Sequence, residues 1–291
     1  MNAPLDPQAP GRYVTIDDTR LYIVERGEGF PLFILHGGPG LDHHVFGDYL
    51  DPLSDQFRLI FVDQRSQGLS DPTPESTWTL EQMAADVSSL ANSLNIKHYA
   101  LLGHSYGALV ALQHAVDSPG DASMTIISSG FPSTRYLYHV QHNLETFEPE
   151  SLRAQVASSW EREASAETEE DVASLLHDQM PFHFADPLDP QIEDYEHRCS
   201  GTRYSPAVLR HFAVQEYGGI EVEDRLSDIT QPVLVLGGRH DRVCSVPAAE
   251  AMAEGIPNAK LVIFEQSGHM TLVEENEHYL AIVRRFIEEH L

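Results

Sequence analysis

The segment from residue 100 to residue 111, ALLGHSYGALVA, places a G-x-S-x-G motif between an apolar run and a helix-like run. A chain that turns from strand to helix over so few residues needs a sharp, strained turn. A side chain at Gly103 or Gly107 would collide with neighbouring backbone in such a turn. The turn exposes the hydroxyl of Ser105 above a sheet, with the N-terminus of a helix beneath it. The motif therefore predicts a strand–nucleophile–helix unit within an α/β sheet, with Ser105 as the nucleophile.

Short apolar runs alternate with helical patterns on both sides of this unit. Apolar runs of this kind predict strands buried on both faces, as in a parallel sheet. The predicted strands are 31–35, 58–62, 99–102, 123–127, 232–236 and 260–264, after a hairpin formed by 12–16 and 20–24. The predicted core helices are 80–94, with Thr79 as its N-cap, followed by 106–116, 248–254 and 276–290.

The composition changes from about residue 131 to residue 219, where the chain becomes helical, acidic and aromatic. Within this stretch the run 161–171, EREASAETEED, predicts a solvated helix face. We therefore predict an α/β fold whose mostly parallel sheet carries helices on both faces and is interrupted once by a helical lid. The predicted parts are a first core segment over 1–130, the lid over 131–220 and a second core segment over 221–291.

The charge and hydropathy of the chain exclude some classes of binding partner and some cellular locations. The chain has 45 acidic and 18 basic side chains, a formal net charge of -27, which disfavours nucleic acid and anionic lipid as partners. No apolar run approaches the ~20 residues that span a bilayer, and no signal peptide is visible, so we expect a cytoplasmic protein. Cys199 and Cys244 form no paired motif and are expected to be isolated buried thiols. The oligomeric state cannot be deduced from these features.

A serine hydroxyl is a poor nucleophile at neutral pH and needs an adjacent base, which in turn needs an orienting carboxylate. The run PVLVLGG is followed by Asp241, and the next run, KLVIFEQ, is followed by His269. Both side chains thus come after the carboxyl ends of predicted strands, where open α/β sheets place their sites. We predict that His269 acts as general base and then general acid, and that Asp241 fixes its tautomer and stabilises its imidazolium.

Attack on a carbonyl creates an oxyanion that needs preorganised N–H donors. We predict that the backbone N–H groups of Tyr106, which follows the nucleophile, and of Gly38, in the loop HGGPG, supply them. Pro39 has no N–H and can only shape this loop. His43 and His44 have no third ligand at a suitable spacing, so we expect no metal, and nothing in the sequence calls for a cofactor.

Five segments carry a family resemblance: HGGPG (36–40), VDQRSQGLSDP (62–72), GHSYGA (103–108), GRHD (238–241) and SGHM (267–270). Together they resemble the α/β-hydrolase superfamily and, within it, the proline iminopeptidase group of serine peptidases. The resemblance extends from residue 36 to residue 270 and implies the α/β-hydrolase fold. Two of these motifs also recur in related esterases and lactonases.

In the proline iminopeptidase group, a lid carboxylate recognises the free α-amino group of the substrate. The segment Gln215-Glu216-Tyr217 is similar to the motif that carries it, so the resemblance implies Glu216 for this role. Glu193 and Glu196 are weaker candidates for a second acid that binds the amine. The implied activity is release of an amino-terminal residue, proline or another small or apolar residue, from short peptides or amino-acid amides. A small-molecule esterase or lactonase with the same three catalytic residues is the alternative, and a non-catalytic binding protein of the same fold is a third hypothesis.

Overall fold

A computed structural model describes residues 11–291, so the first ten residues of the predicted core lie outside it. Within the described residues, eight strands form one sheet. The strands are β1 (Arg12–Thr15), β2 (Arg20–Arg26), β3 (Phe30–Leu35), β4 (Phe57–Val62), β5 (Ala100–His104), β6 (Met124–Ser128), β7 (Val233–Gly238) and β8 (Ala259–Phe264).

The sheet order is β1-β2-β4-β3-β5-β6-β7-β8. The β1–β2 and β2–β4 pairs are antiparallel, and every pair from β4–β3 onward is parallel. The predicted hairpin and the predicted mostly parallel sheet are therefore confirmed. The carboxyl ends of β3, β5, β7 and β8 consequently meet at one edge of the sheet, which brings their loops together.

Five helices belong to the parts of the chain that build and cover the sheet. They are α1 (Leu80–Ser93), α2 (Tyr106–Asp117), α8 (Val246–Gly255), α9 (Thr271–Glu274) and α10 (Asn276–Glu289). The segment predicted as a lid lies between β6 and β7. It forms α3 (Tyr138–Glu145), α4 (Glu150–Arg162), α5 (Glu169–His183), α6 (Gln191–Arg198) and α7 (Pro206–Ala213).

The central strands are buried on both faces. In β3, Leu32 and Ile34 pack in one apolar cluster, whereas Phe33 and Leu35 pack in the cluster on the opposite face. All four side chains are at most 1% exposed. An uninterrupted apolar run is therefore required here, because both sets of alternating side chains face a core.

Element ends differ from the predictions by a few residues where tertiary pairing or capping decides them. Strand β2 continues past the predicted Val24 because Arg26 still pairs with Leu59 of β4. Helix α1 starts as predicted, with the side chain of Thr79 accepting a hydrogen bond from the amide of Gln82. Among the helices of residues 11–291, none combines the length and the apolar character needed to cross a membrane.

Candidate active site

Ser105 lies in the turn between β5 and α2 with φ 56° and ψ −120°, a conformation that a serine rarely adopts. The two flanking glycines are required by close backbone approach. A Cβ on Gly103 would lie 2.0 Å from the carbonyl oxygen of Gly107, and a Cβ on Gly107 would lie 2.3 Å from that of Leu35. The chain thus folds into the strained elbow that the sequence predicts, and it holds Ser105 at the N-terminus of α2.

Asp241 and His269 lie in neighbouring loops, after β7 and β8. These loops are joined through the backbone, since the amide of His240 donates to the carbonyl of Ser267 over 2.9 Å. His269 Nδ1 lies 2.9 Å from Asp241 Oδ2. The other carboxylate oxygen of Asp241 accepts 2.8 Å hydrogen bonds from the amides of Val243 and Cys244.

This arrangement determines which ring nitrogen of His269 can accept a proton. The carboxylate acceptor means that Nδ1 of His269 carries a proton, so Nε2 is the atom able to take a proton from a hydroxyl. The carboxylate of Asp241 is in turn held by two backbone donors and has no freedom to rotate away. Both side chains are almost completely buried, which strengthens the interaction by excluding water.

The loop HGGPG runs past the nucleophile. A Cβ on Gly37 would lie 3.2 Å from Cβ of Ser105, and Gly38 has φ 121°. Tyr106 is the first residue of α2, where helix geometry leaves backbone N–H groups without intrahelical acceptors. Gly38 follows Gly37 in this loop and Tyr106 follows Ser105 along the chain, and both residues line the cavity that contains Ser105.

The segment after β4 supports this loop. The amide of Gln64 donates to Nε2 of His36 over 3.1 Å, so Nδ1 of the same ring donates to the carbonyl of Gly37 over 2.8 Å. Further along, the side-chain oxygen of Gln67 accepts a 2.6 Å hydrogen bond from the amide of Gly40. His36 therefore joins this loop to the segment after β4 through hydrogen bonds on both ring nitrogens.

Ser105, His269, Gly38 and Tyr106 all line one cavity beneath the helices α3–α7. The cavity contains about 940 Å3 of space, part of it open to solvent. Most of its lining is apolar, and this part of the lining includes Leu41, Leu109, Phe131, Leu137, Val172 and Met180. A mostly apolar cavity with a few convergent polar groups is typical of a small-molecule site.

Glu163 is a carboxylate within this cavity that the sequence pattern does not predict. Its side chain lines the same cavity as Ser105 and is only 5% exposed. It accepts 2.6 Å hydrogen bonds from the side-chain amide of Gln179 and from the hydroxyl of Tyr217. Burial raises the pKa of Glu163, while the two hydrogen bonds act in the opposite direction. The acidic run 161–171 is mostly exposed as predicted, but Glu163 is an exception.

The carboxylates favoured by the resemblance lie elsewhere. Glu216 is exposed and lines an outer groove rather than the cavity, although the next residue, Tyr217, lines both. Glu193 is exposed on α6. Glu196 lines a pocket beside the cavity, where it pairs with Nδ1 of His177 over 2.7 Å. The structure therefore brings none of the three to the cavity that contains Ser105.

Two further histidines face His269, each with a ring centroid 5.2 Å from its own. His104 is held by Ser128, with Nδ1 3.2 Å from the hydroxyl oxygen, and burial moves its pKa well below the usual value. Burial also lowers the pKa of His183 to about 3. Rings with so low a pKa hold a proton weakly and are poor general bases, whereas His269 has the carboxylate partner that orients a base.

Comparison with known proteins agrees with this geometry. Residues 31–276 match the family described by the alpha/beta hydrolase fold. The chain belongs to the alpha/beta hydrolase family. It is 30% identical to a proline iminopeptidase of Saccharolobus solfataricus, over 93% of this chain and 88% of the relative. It is 28% identical to a proline iminopeptidase of Lactobacillus delbrueckii subsp. bulgaricus, over 94% of this chain and 95% of the relative. The predicted resemblance is thereby confirmed, and the chain is a hydrolase.

Solved structures share the fold of this hydrolase. A proline iminopeptidase of Mycobacterium smegmatis superposes with a TM-score of 0.75 at 24% identity, covering 96% of this chain and 98% of its own. An esterase of Exiguobacterium antarcticum also has a TM-score of 0.75 at 24% identity, covering 96% and 99%. The backbone alone therefore does not distinguish a peptidase from an esterase.

The helical segment predicted as a lid is attached to the loops that carry the predicted acid and base. The carboxylate of Glu274 accepts hydrogen bonds from the amide of Ala185 in the lid, at 2.7 Å, and from the amide of Gly268, at 2.8 Å. Arg242, which follows Asp241, donates to the carbonyl of Ala185 over 3.1 Å. Burial is the main cause that raises the pKa of Glu274 to about 7.

Two sets of side chains bring potential metal-ligating atoms close together among the described residues: Asp42, His43 and His44, and Asp241, Cys244 and His269. In the first set, Asp42 is a third neighbour that spacing along the chain did not suggest. The imidazoles of this set already bond to carboxylates, since Nδ1 of His43 lies 2.7 Å from Asp63 and Nδ1 of His44 lies 2.9 Å from Asp42. Cys199 and Cys244 are free and buried, as expected.

Proposed function

We propose that this hydrolase releases a single amino-terminal residue from short peptides or amino-acid amides through an acyl-enzyme on Ser105. In the first step, His269 takes the proton of the Ser105 hydroxyl as the oxygen attacks the scissile carbonyl. The same imidazolium then protonates the departing amine. In the second step, His269 activates a water molecule that hydrolyses the ester, which frees the amino acid and regenerates the serine.

Asp241 keeps the imidazole in the tautomer that this sequence requires and stabilises the imidazolium. The backbone N–H groups of Gly38 and Tyr106 stabilise the negative charge that develops on the carbonyl oxygen. Such donors cost no reorganisation at the moment of reaction, because the loop and the helix already hold them in place.

The observation that supports an aminopeptidase is the buried carboxylate of Glu163 in the cavity of Ser105. Its two described hydrogen bonds come from neutral groups, Gln179 and Tyr217, and these leave its charge uncompensated. A buried carboxylate is stabilised most by an ammonium group, through a charge-assisted hydrogen bond. A substrate with a free α-amino group supplies that ammonium, and the amine then fixes the distance from the substrate's N-terminus to the attacked carbonyl. We assign amine recognition to Glu163 in place of Glu216.

The apolar lining fits a small or apolar residue such as proline as the acyl group. Phe131, Leu137 and Val243 contribute to this lining. Several relatives of the chain carry the name proline iminopeptidase, which is consistent with this choice. The cytoplasmic location remains a prediction from the sequence.

The test is a substrate panel with matched amino groups. Prolyl and alanyl arylamides would be compared with their N-acetylated forms, using the wild type, Ser105→Ala and Glu163→Gln. We expect wild-type activity only on the free-amine arylamides, and none with Ser105→Ala. Glu163→Gln keeps the shape of the side chain but removes its charge, so kcat/KM for free-amine substrates should fall by about 30- to 150-fold, for a loss of about 2–3 kcal/mol.

Glu216→Gln is the matched control, since it makes the same chemical change at an exposed carboxylate outside the cavity. Its kcat/KM should stay within about twofold of the wild type. Equal turnover of acetylated and free substrates by the wild type would refute amine recognition. A large loss with Glu216→Gln and none with Glu163→Gln would return the role to Glu216.

A small-molecule esterase or lactonase is the second candidate. It is favoured by the largely apolar cavity and by burial that raises the pKa of Glu163, because a neutral Glu163 would not require an amine. Adding p-nitrophenyl esters and lactones to the panel distinguishes the two. Ester turnover without any arylamide turnover would establish the second candidate and exclude the first.

A further inference from the structure

We infer that Tyr217 and Trp160 form a wall that limits the acyl part of the substrate to one residue, and that the outer groove behind this wall is where a preceding residue would bind. The inference rests on the proposed function, because it assigns the end of the substrate that Glu163 faces. It adds a determinant of substrate length and a second subsite.

The wall separates two spaces that share it. Leu137, Trp160 and Tyr217 line both the catalytic cavity and the outer groove, which continues between α3, α4 and the segment after α7. The rings of Trp160 and Tyr217 meet nearly perpendicularly, at 84°, with centroids 6.4 Å apart. Two aromatic rings in this arrangement close the passage between the two spaces.

The chemistry of Glu163 shows which end of the substrate meets the wall. The hydroxyl of Tyr217 donates to the carboxylate of Glu163 over 2.6 Å, so the phenol ring lies directly against the proposed amine site. Any group attached to the amino nitrogen of the substrate would extend from Glu163 towards this ring. A preceding amino-acid residue is such a group, and it would collide with the wall.

The backbone around Tyr217 is strained in a way that fixes the ring. Glu216 has φ 50° and Tyr217 has φ 56°, and Gly218 and Gly219 follow with φ 100° and 61°. Four consecutive residues with positive φ form a left-handed turn, and two of them are not glycine. Residues in such sparsely populated conformations occur preferentially at ligand clamps and active sites. Here the strain turns Tyr217 towards Glu163 while Glu216 faces the groove.

The charge of the groove indicates what it would bind. Glu145, Glu150, Glu161 and Glu216 contribute to its lining. The single arginine of the lining, Arg153, already bonds to Glu148 over 2.6 Å. A groove with this charge favours an ammonium group. In a longer substrate the α-ammonium lies one residue before the position it has in an aminoacyl substrate, which would place it in the groove once the wall is opened.

The experiment compares Tyr217→Ala with Tyr217→Phe on two substrates with free amines, alanyl-prolyl arylamide and prolyl arylamide. Turnover of the longer substrate is measured as release of the intact dipeptide alanyl-proline, so that sequential removal of alanine and then proline is not counted. The wild type should cleave the shorter substrate and discriminate against the longer one. Tyr217→Ala removes the ring, so the ratio of kcat/KM for the longer over the shorter substrate should rise at least tenfold. Tyr217→Phe keeps the ring and loses only the hydroxyl, so this ratio should stay within about threefold of the wild type.

Trp160→Ala removes the other ring of the wall and carries the same expectation, including in the case that Tyr217→Ala does not fold. An unchanged ratio of kcat/KM in whichever of these variants folds would refute the claim that the two rings limit the length of the substrate. An equal rise in Tyr217→Phe would also overturn it, because the hydroxyl and not the ring would then set the length. The proposed function fails separately, if the wild type does not cleave prolyl arylamide or does so without Ser105.

Discussion

Glu274 provides a test of the electrostatics that connect the lid to the base. Its pKa rises from the ordinary 4.5 to about 7, mainly through burial, so the folded protein holds this proton more tightly than the unfolded chain does. The stability that the proton contributes is fully present below pH 4.5 and is lost as the pH rises through 7. From these two pKa values, the contribution falls by about 2.5 kcal/mol between about pH 5 and about pH 8.

Glu274→Gln removes the titration while keeping the size of the side chain. The variant loses one of the two acceptors for Ala185 and Gly268, a cost of about 1–3 kcal/mol that does not depend on pH in this range. Urea unfolding of both proteins at about pH 5 and about pH 8 gives the difference in their free energies of unfolding, in which the other titrating groups cancel. We expect the wild type to lose about 2.5 kcal/mol relative to the variant over this interval. A pH-independent difference would refute the raised pKa and with it the role of burial.

Three further outcomes follow from the site and the core. Ser105→Ala should lower kcat by ~10⁴-fold or more and abolish labelling by a serine-reactive phosphonate, and residual labelling would point to another nucleophile. Gly103→Ala should cost more than about 2 kcal/mol in urea unfolding, because its Cβ would lie 2.0 Å from the carbonyl oxygen of Gly107; unchanged stability would contradict the close approach. Arg65→Met should cost about 3–5 kcal/mol, since it leaves the buried Asp86 without its two guanidinium hydrogen bonds of 2.8 and 2.6 Å. The double variant with Asp86→Leu should recover most of this loss, and no recovery would argue against the ion pair as the cause.

The positions of the residues proposed for catalysis could be predicted because each of them has a local sequence signal. Ser105 is flanked by the glycines that its turn requires, and Asp241 and His269 each follow a recognisable strand. These residues are far apart in the sequence, but their proximity follows from a general property of parallel sheets. The carboxyl ends of neighbouring strands lie at the same edge of the sheet. Local patterns and one topological rule were therefore sufficient to bring residues from distant parts of the chain to one site.

The residues proposed for substrate selectivity could not be predicted in the same way. Glu163 lies in an acidic run whose composition is typical of a solvated surface, and most of that run is indeed exposed. Its burial depends on Gln179, which is 16 residues away, and on Tyr217, which is 54 residues away. The packing of the helices that bring these partners together obeys no rule as general as the shared edge of a sheet. The resemblance implies Glu216, which is exposed in the outer groove, whereas its neighbour Tyr217 donates a hydrogen bond to Glu163.

The same division explains why the comparisons establish the family more firmly than the substrate. An esterase and a proline iminopeptidase superpose on this chain with the same TM-score and the same identity, so the sheet and its strand ends are compatible with either reaction. An acyl-enzyme mechanism needs only the nucleophile, the base and the oxyanion donors, and these belong to the sheet. What distinguishes an amide with a free amine from a simple ester is a charge placed at a fixed distance from the nucleophile. In this chain the buried candidate for that charge is Glu163, which Gln179 and Tyr217 hold within the lid. Under the proposed function the substrate depends on these few residues between β6 and β7, and substitution at them tests it more directly than any further comparison of folds.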